Sequence, residues 1–238
     1  MTGATPHAPD ADGQAPYDPD ADGRFSAWLR DRTGEGWTDA TRHRFVEAVR
    51  DDAVAEDVYG RYLVQDYAFL EAGARKTART ASQAPSIEEM GRHAESLSVL
   101  TGGEHDYFLR AFEDLGIPPE RWEDPDLHPA AESFIDFLHR STGEGGYEES
   151  LAVETAAEWV YLDWCSYAAE GDPDRWYLDE WLDIHLNEWF ESYVDWLRGQ
   201  LDEYGPRLSP RRQRRVARLF ERTAENEAAF FDAAYDPQ

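Results

Sequence analysis

Three acidic residues, Asp66, Glu158 and Glu227, lie on predicted helix faces whose other residues are apolar. Positions three, four and seven apart share one side of an α-helix, so this spacing predicts that the three side chains point inward. Glu154 lies one turn before Glu158. The residues that share these faces are Tyr59, Tyr62, Phe69 and Gly73 for Asp66, then Tyr161, Leu162 and Cys165 for Glu158, and Phe220, Ala224, Phe231 and Ala234 for Glu227.

Inward carboxylates of this kind have a structural and a chemical interpretation. Burying an ionised carboxylate costs free energy unless partners offset the lost hydration. Each acid alone could accept hydrogen bonds from buried tyrosines, tryptophans or an arginine and do no chemistry. Three together indicate a metal, a cationic ligand or acid–base chemistry. Aromatic walls around such acids suit a flat, basic heteroaromatic ligand.

Metal-binding patterns are incomplete in this sequence. Two-metal sites in helical bundles use two Glu-x-x-His pairs and two further glutamates, whereas only residues 136–139 (DFLH) approach that spacing, with Asp in place of Glu. Residues 18–23 (DPDADG) copy half of a calcium-binding loop, but its twelfth position is Leu29 rather than the required Glu. Neither a metal nor another cofactor is therefore expected. The histidines without ligand spacing are His43, His93, His105 and His128.

The charge balance restricts the class of partner. The chain has 50 acidic and 23 basic residues, a net charge of −27, and a single lysine, Lys76. Nucleic acids and anionic membranes bind basic surfaces, so neither is expected as a partner. Because 9 Trp, 12 Tyr and 11 Phe exclude general disorder, we interpret the composition as that of a halophilic protein, in which salt screens the self-repulsion.

Helical signals dominate from Phe25 onward, and no segment alternates like a strand, which predicts an all-α, single-domain helical bundle over residues 24–238. Residues 1–23 read as a disordered acidic tail. One cysteine excludes an internal disulfide framework, and the absence of an apolar span or secretory signal predicts a cytoplasmic protein. The predicted helices are 25–31, 38–50, 55–82, 86–115 (with a possible break at Gly102-Gly103), 129–141, 146–169, 177–204 (with a possible break near Asn187) and 209–234.

Several segments resemble one protein family. Residues 62–70 (YLVQDYAFL) resemble the first signature of the TenA/thiaminase II family, which has the haem-oxygenase-like helical fold. Residues 104–108 (EHDYF), 187–190 (NEWF) and 227–235 (EAAFFDAAY) resemble later segments of that family, in the same order. The resemblance covers about residues 38–236. It implies an enzyme that salvages the pyrimidine half of thiamine.

The resemblance also implies roles for the acids. Asp66 holds the aminopyrimidine by its ring nitrogen and amino group, and Glu227 handles the proton of the leaving group. Glu158 matches the position of a nucleophilic cysteine, as in the branch of the family that carries glutamate there. It is a nucleophile, a base for water or an ammonium-binding group, and we prefer activation of water. Cys165, seven residues later, is expected to be a structural thiol.

The expected pocket departs from the family pattern. Tyr161 is expected to contact the substrate, together with Phe69, Phe134 and His185, which stand where many relatives have tyrosines. The expected activity is hydrolysis of 4-amino-5-aminomethyl-2-methylpyrimidine, or its N-formyl form, to hydroxymethylpyrimidine, by a homo-oligomer (dimer or tetramer). The alternatives are a non-catalytic pyrimidine-binding or regulatory protein of the same fold and a di-metal carboxylate oxidase.

Overall fold

A computed structural model describes residues 16–236. In that range the chain forms helices connected by short turns, with no β-strand, which confirms the all-α prediction. The α-helices of the described part are α1 (Phe25–Thr33), α2 (Glu35–Thr41), α3 (Arg44–Arg50), α4 (Glu56–Gln83), α5 (Ile87–Val99), α6 (His105–Asp114), α7 (Pro129–Glu144), α8 (Tyr147–Ala169), α9 (Trp176–Leu186), α10 (Glu188–Tyr204) and α11 (Pro210–Ala233).

Helix α8 lies at the centre of the bundle. It packs against α2, α3, α4, α7, α9, α10 and α11. Its buried residues lie on every side of the helix, as is typical of an interior helix. Because α8 is enclosed in this way, Glu154 and Glu158 are carried towards the centre of the molecule rather than to solvent.

Two predicted helices are interrupted by capping residues. The single helix predicted over 38–50 is wrong, because His43 has an extended backbone and its Nδ1 accepts a hydrogen bond from the Phe45 N–H, which begins α3. The break suggested near Asn187 is confirmed: Asn187 Oδ1 accepts a hydrogen bond of 3.0 Å from the Phe190 N–H at the start of α10. Short 3₁₀ turns that were not predicted form at Pro119–Arg121 and Gly205–Arg207.

The possible break at Gly102-Gly103 takes the form of a π turn. Helix α5 ends at Val99, a π-helical segment covers Leu100–Glu104, and α6 follows directly at His105. A π turn contains more residues per turn than an α-helix and is frequent at functional sites. Because of the π turn, the side chains that follow α5 point in directions that the α-helical spacing of α5 does not predict.

The segment before α1 forms a compact turn. The Tyr17 hydroxyl donates a hydrogen bond of 2.7 Å to the Gly23 carbonyl, and its ring packs edge-on against Phe25 and Trp28. Asp18 Oδ1 accepts a hydrogen bond from the backbone of the same turn. The remainder of the predicted tail, residues 1–15, lies outside the described residues. Among the helices of residues 16–236, none is long and apolar enough to cross a membrane.

Candidate functional site

A cavity of about 60 Å³ lies among α4, α7, α8, α9 and the π turn. One water molecule needs about 10–15 Å³ of cavity space, so several waters, or the ligand atoms that replace them, fit inside. Its wall combines aromatic and aliphatic groups with three carboxylic acids, one lysine and one histidine. The lining residues are Asp66, Phe69, Leu70, Gly73, Lys76, Leu100, Glu104, Leu138, Ala157, Glu158, Tyr161, Trp181 and His185.

Asp66 is buried on the inner face of α4, as its spacing predicts. The Tyr161 hydroxyl lies 3.5 Å from Asp66 Oδ1 and 3.2 Å from the Tyr62 hydroxyl. Burial raises the pKa of Asp66 to about 7, and hydrogen bonds from Tyr62 and Tyr161 oppose part of that increase. The group can therefore donate or accept a hydrogen bond near neutral pH.

Lys76 lies between two glutamates of α8. Its Nζ is 3.3 Å from Glu158 Oε1 and 3.9 Å from Glu154 Oε1, and its side chain is only 4% exposed. Burial lowers the pKa of Lys76, but the two glutamates outweigh burial and raise it, so the amine is charged. Burial raises the pKa of Glu158, and the Lys76 ammonium opposes that shift. Lys76 therefore favours the ionised form of Glu158.

Glu154 lies behind Lys76, away from the cavity. Its Oε1 accepts hydrogen bonds of 2.9 Å from the hydroxyls of Thr77 and Tyr193, and its Oε2 is 3.5 Å from His93 Nδ1. Burial alone would raise the pKa of Glu154, but Lys76 and His93 lower it to about 2. Glu154 is therefore the fixed negative charge that holds Lys76 in place.

Glu154 should make the fold sensitive to acid. The pKa of this carboxyl is about 2 in the folded protein and 4.5 ordinarily, so its contribution is complete above pH 4.5 and is lost as pH falls towards 2. That shift corresponds to roughly 3 kcal/mol. We expect the free energy of unfolding to fall more steeply between pH 4.5 and 2 in the wild type than in Glu154→Gln, as measured by urea titration. Equal slopes would contradict this assignment.

Glu227 approaches the same cluster from α11 and is 1% exposed. Its Oε1 is buried and has no hydrogen-bond partner within the described residues. Burial, followed by the charges of Asp66 and Glu158, holds its pKa well above the usual range. The protonated form of the carboxyl is thus favoured, and its Oε1 has an unused position for a hydrogen bond.

The other predicted contact residues divide between the wall and the layer behind it. Phe69, Tyr161 and His185 line the cavity, whereas Phe134 is fully buried behind Phe69, with ring centroids 4.6 Å apart. His185 Nδ1 lies 2.9 Å from the Trp181 carbonyl, and burial lowers the pKa of His185 to about 4. A neutral His185 donates through Nδ1 to that carbonyl, which leaves Nε2 as an acceptor.

Sequence spacing missed two charged residues of the cavity wall, Lys76 and Glu104. Lys76 continues the α4 stripe at the next helical position after Gly73, so the spacing and its status as the only lysine were the available signals. Glu104 is the last residue of the π turn, which alters the helical register, and spacing could not place it. In residues 16–236, no three His, Cys, Asp or Glu side chains are arranged to hold one metal ion.

Cys165 does not line the cavity. It is fully buried in the hydrophobic core and has a free thiol. Burial raises the pKa of the Cys165 thiol well above its usual value. A thiolate, the reactive form, is therefore disfavoured there.

Curated relatives match most of the chain. An aminopyrimidine aminohydrolase from Halalkalibacterium halodurans is 24% identical over 217 residues, which cover 89% of this chain and 96% of that protein. An enzyme of the same name from Bacillus subtilis is 23% identical, with 89% of this chain and 90% of that protein covered. Each match thus covers most of this chain and most of the relative.

Solved structures show the same fold. A TenA homologue from Pyrococcus furiosus superimposes with a TM-score of 0.82 at 21% identity, covering 89% of this chain and all of that chain. A Shewanella denitrificans domain described as having a haem oxygenase-like fold gives 0.67 at 16% identity, covering 87% of this chain and 90% of that chain. The haem-oxygenase-like prediction is confirmed. A model of the TENA/THI-4/PQQC family matches residues 30–237, and the chain belongs to that family.

Proposed function

We propose that this protein is an aminopyrimidine aminohydrolase of thiamine salvage. The proposed reaction converts 4-amino-5-aminomethyl-2-methylpyrimidine, or its N-formyl form, to hydroxymethylpyrimidine. The observation that carries the proposal is that Asp66 and Glu158, from two different helices, line one small aromatic-walled cavity, while the buried Glu227 of a third helix interacts with the charges of both. The curated relatives named aminopyrimidine aminohydrolase support it.

Asp66 is proposed to hold the aminopyrimidine. A carboxylic acid and a 4-aminopyrimidine edge are complementary, because one oxygen meets the ring nitrogen and the other accepts from the amino group. The pair shares one proton, and an acid with a pKa of about 7 can supply or release it. The rings of Phe69, Tyr161 and Trp181 in the same wall offer surfaces for the ligand ring.

Glu158 is proposed to activate the attacking water. The water oxygen forms the new bond to the exocyclic methylene carbon, the carbon–nitrogen bond breaks, and the amine leaves with its bonding electrons. Glu158 accepts the proton that the water loses. Lys76 supports this role, because its ammonium, 3.3 Å from Glu158 Oε1, stabilises the ionised carboxylate that a base requires.

Glu227 is proposed to manage the proton of the leaving nitrogen. A carboxyl whose pKa is raised well above its usual range favours the protonated form, and the unpartnered Oε1 of Glu227 would meet the departing amine in this proposal. For the N-formyl substrate, which is neutral, this proton makes the leaving group a neutral formamide. The aminomethyl substrate reacts as its ammonium form, so ammonia leaves with the electron pair of the broken carbon–nitrogen bond and takes the proton of Glu227 to become ammonium. The proton that Glu158 took from water then returns to Glu227.

Isotope labelling tests this function. The wild type would be incubated with the aminomethylpyrimidine in ¹⁸O-labelled water, and ammonia and hydroxymethylpyrimidine would be quantified together. Equal amounts of both products, with one ¹⁸O in each hydroxymethyl group, are expected. Binding detected by tryptophan fluorescence without product would instead identify a binding or regulatory protein of the same fold.

We also propose that the protein is halophilic, cytoplasmic and a homo-oligomer. The net charge of −27 supports the first property, because screening weakens repulsion among so many carboxylates. The melting temperature is expected to rise as NaCl increases from about 0.1 to 2 M, over which the screening length falls from about 10 Å to below 3 Å. A scanning calorimetry series checks this, and a melting temperature that is constant or falls with salt would contradict it.

A further inference from the structure

Glu104 resembles Glu227 in its surroundings but has no role in the mechanism above. The charge of each interacts with Asp66, Glu158 and Lys76. Glu227 comes from α11, whereas Glu104 comes from the π turn, and Glu104 lines the cavity directly. Two separate parts of the chain thus bring a carboxyl group to the same charged cluster.

The π turn accounts for the position of Glu104. The turn places Leu100 and Glu104 in the cavity wall while α5 and α6 continue on either side. A Cβ atom added at Gly102 or Gly103 would meet nothing within 4 Å, so close packing against a neighbouring helix does not require glycine at either position. A π turn that presents an acid to a cavity is typical of a functional position.

The charges around the cavity favour a cationic ligand group. Lys76 is the one cation among the lining residues, and its contacts are to Glu158 and to Glu154 behind it. Within the described residues, no cation or hydrogen-bond donor contacts the Glu104 carboxyl. Its charge interacts at longer range with those of Asp66, Glu158 and Lys76. Burial and the neighbouring acids raise the pKa of Glu104 well above its usual value. A ligand ammonium would favour the ionised form of Glu104 and offset the repulsion from the neighbouring acids.

We propose that Glu104 determines specificity by binding the protonated aminomethyl group of the substrate. The inference rests on the proposed function and adds its ligand class, a primary ammonium carried on a flat heteroaromatic ring. The hydroxymethyl product has lost that positive charge, so the same contact favours substrate over product and assists product release. Neutral leaving groups, such as the N-formyl amine, gain nothing from Glu104.

A binding comparison tests this role without requiring turnover. Dissociation constants for the aminomethylpyrimidine and the hydroxymethylpyrimidine would be measured at pH 7, by tryptophan fluorescence and calorimetry, with initial binding separated from any slow turnover. Glu104→Gln should weaken binding of the cationic compound roughly 10- to 100-fold, since a charged hydrogen bond is lost, and change the neutral one by less than about threefold. Glu113→Gln is the matched control, because it removes an exposed charge from neighbouring α6, and it should leave both constants unchanged.

The ratio of the two constants decides the outcome. An equal effect of Glu104→Gln on both compounds, or no effect on either, overturns the role of Glu104. If Glu104→Gln does not fold, Glu104→Asp keeps the charge on a shorter side chain and must retain a preference for the cation; loss of that preference in a folded Glu104→Asp also overturns it. If the wild type hydrolyses the substrate but Glu104→Gln leaves the ratio of the two dissociation constants unchanged, only this inference is refuted. A wild type that binds neither compound refutes the proposed function as well.

Discussion

Lys76→Met is expected to lower the free energy of unfolding by about 3–5 kcal/mol, the effect of removing one partner from a buried ion pair. The variant leaves Glu154, which is fully buried, and Glu158, which is 17% exposed, without the ammonium between them. Methionine fills a similar volume, so the loss is electrostatic rather than a cavity effect. Urea unfolding at pH 7 in constant high salt measures it.

Arg75→Met is the control for this prediction. Arg75 precedes Lys76 on α4, but its ion pair with Glu71 is exposed, with 63% and 70% of the two side chains accessible. Exposed pairs contribute about 0–1 kcal/mol, so Arg75→Met should be nearly neutral. Equal effects of the two substitutions would show that Lys76 does not stabilise the buried glutamates.

Glu227→Gln is expected to reduce kcat by about 10²–10⁴-fold, the usual contribution of a general acid or base. Gln keeps the shape and polarity of the protonated acid but cannot transfer a proton. Binding of the aminomethylpyrimidine should therefore change much less than the rate. Single-turnover kinetics and equilibrium fluorescence separate the two. A variant with wild-type kcat would remove Glu227 from the mechanism.

The same substitution should stabilise the fold in alkaline solution. The pKa of Glu227 is well above 4.5 in the folded protein, so its favourable contribution is complete below pH 4.5 and is lost as pH rises towards the folded pKa. The neutral glutamine side chain has no such loss. The melting temperature of Glu227→Gln relative to wild type should increase from pH 5 to pH 9, and a constant difference would contradict the buried, protonated carboxyl. Greater stability with lower activity is the expected cost of a functional acid.

Helical spacing predicted much of the site because α4, α8 and α11 are long and regular. Asp66 and Glu158 line the cavity and Glu227 lies beside them, as their apolar neighbours predicted. The spacing gives a direction for each side chain but not its partners across the bundle. The Glu154–Lys76–Glu158 arrangement therefore required the packing of α4 against α8, which residue order alone does not contain.

Local irregularities limited the remaining predictions. The stop between α2 and α3 depends on one side-chain cap at His43, a residue type that seldom signals a helix start. The π turn that ends at Glu104 changes the helical register by a geometry that has no sequence signature beyond Gly102 and Gly103. Phe134 lies behind the wall because a second aromatic ring, Phe69, fills the position in front of it.

The most direct test of the proposed chemistry is the rate of ammonia release from the aminomethylpyrimidine in molar salt by the wild type, Glu158→Gln and Glu170→Gln. Glu170 lies at the end of the same helix and is 64% exposed, so its substitution should leave the rate unchanged. Turnover by the wild type and a decrease of about 10²–10⁴-fold in Glu158→Gln are predicted. Equal rates in Glu158→Gln and wild type would contradict the role of Glu158, and no release by a wild type that binds the compound would contradict the enzyme itself.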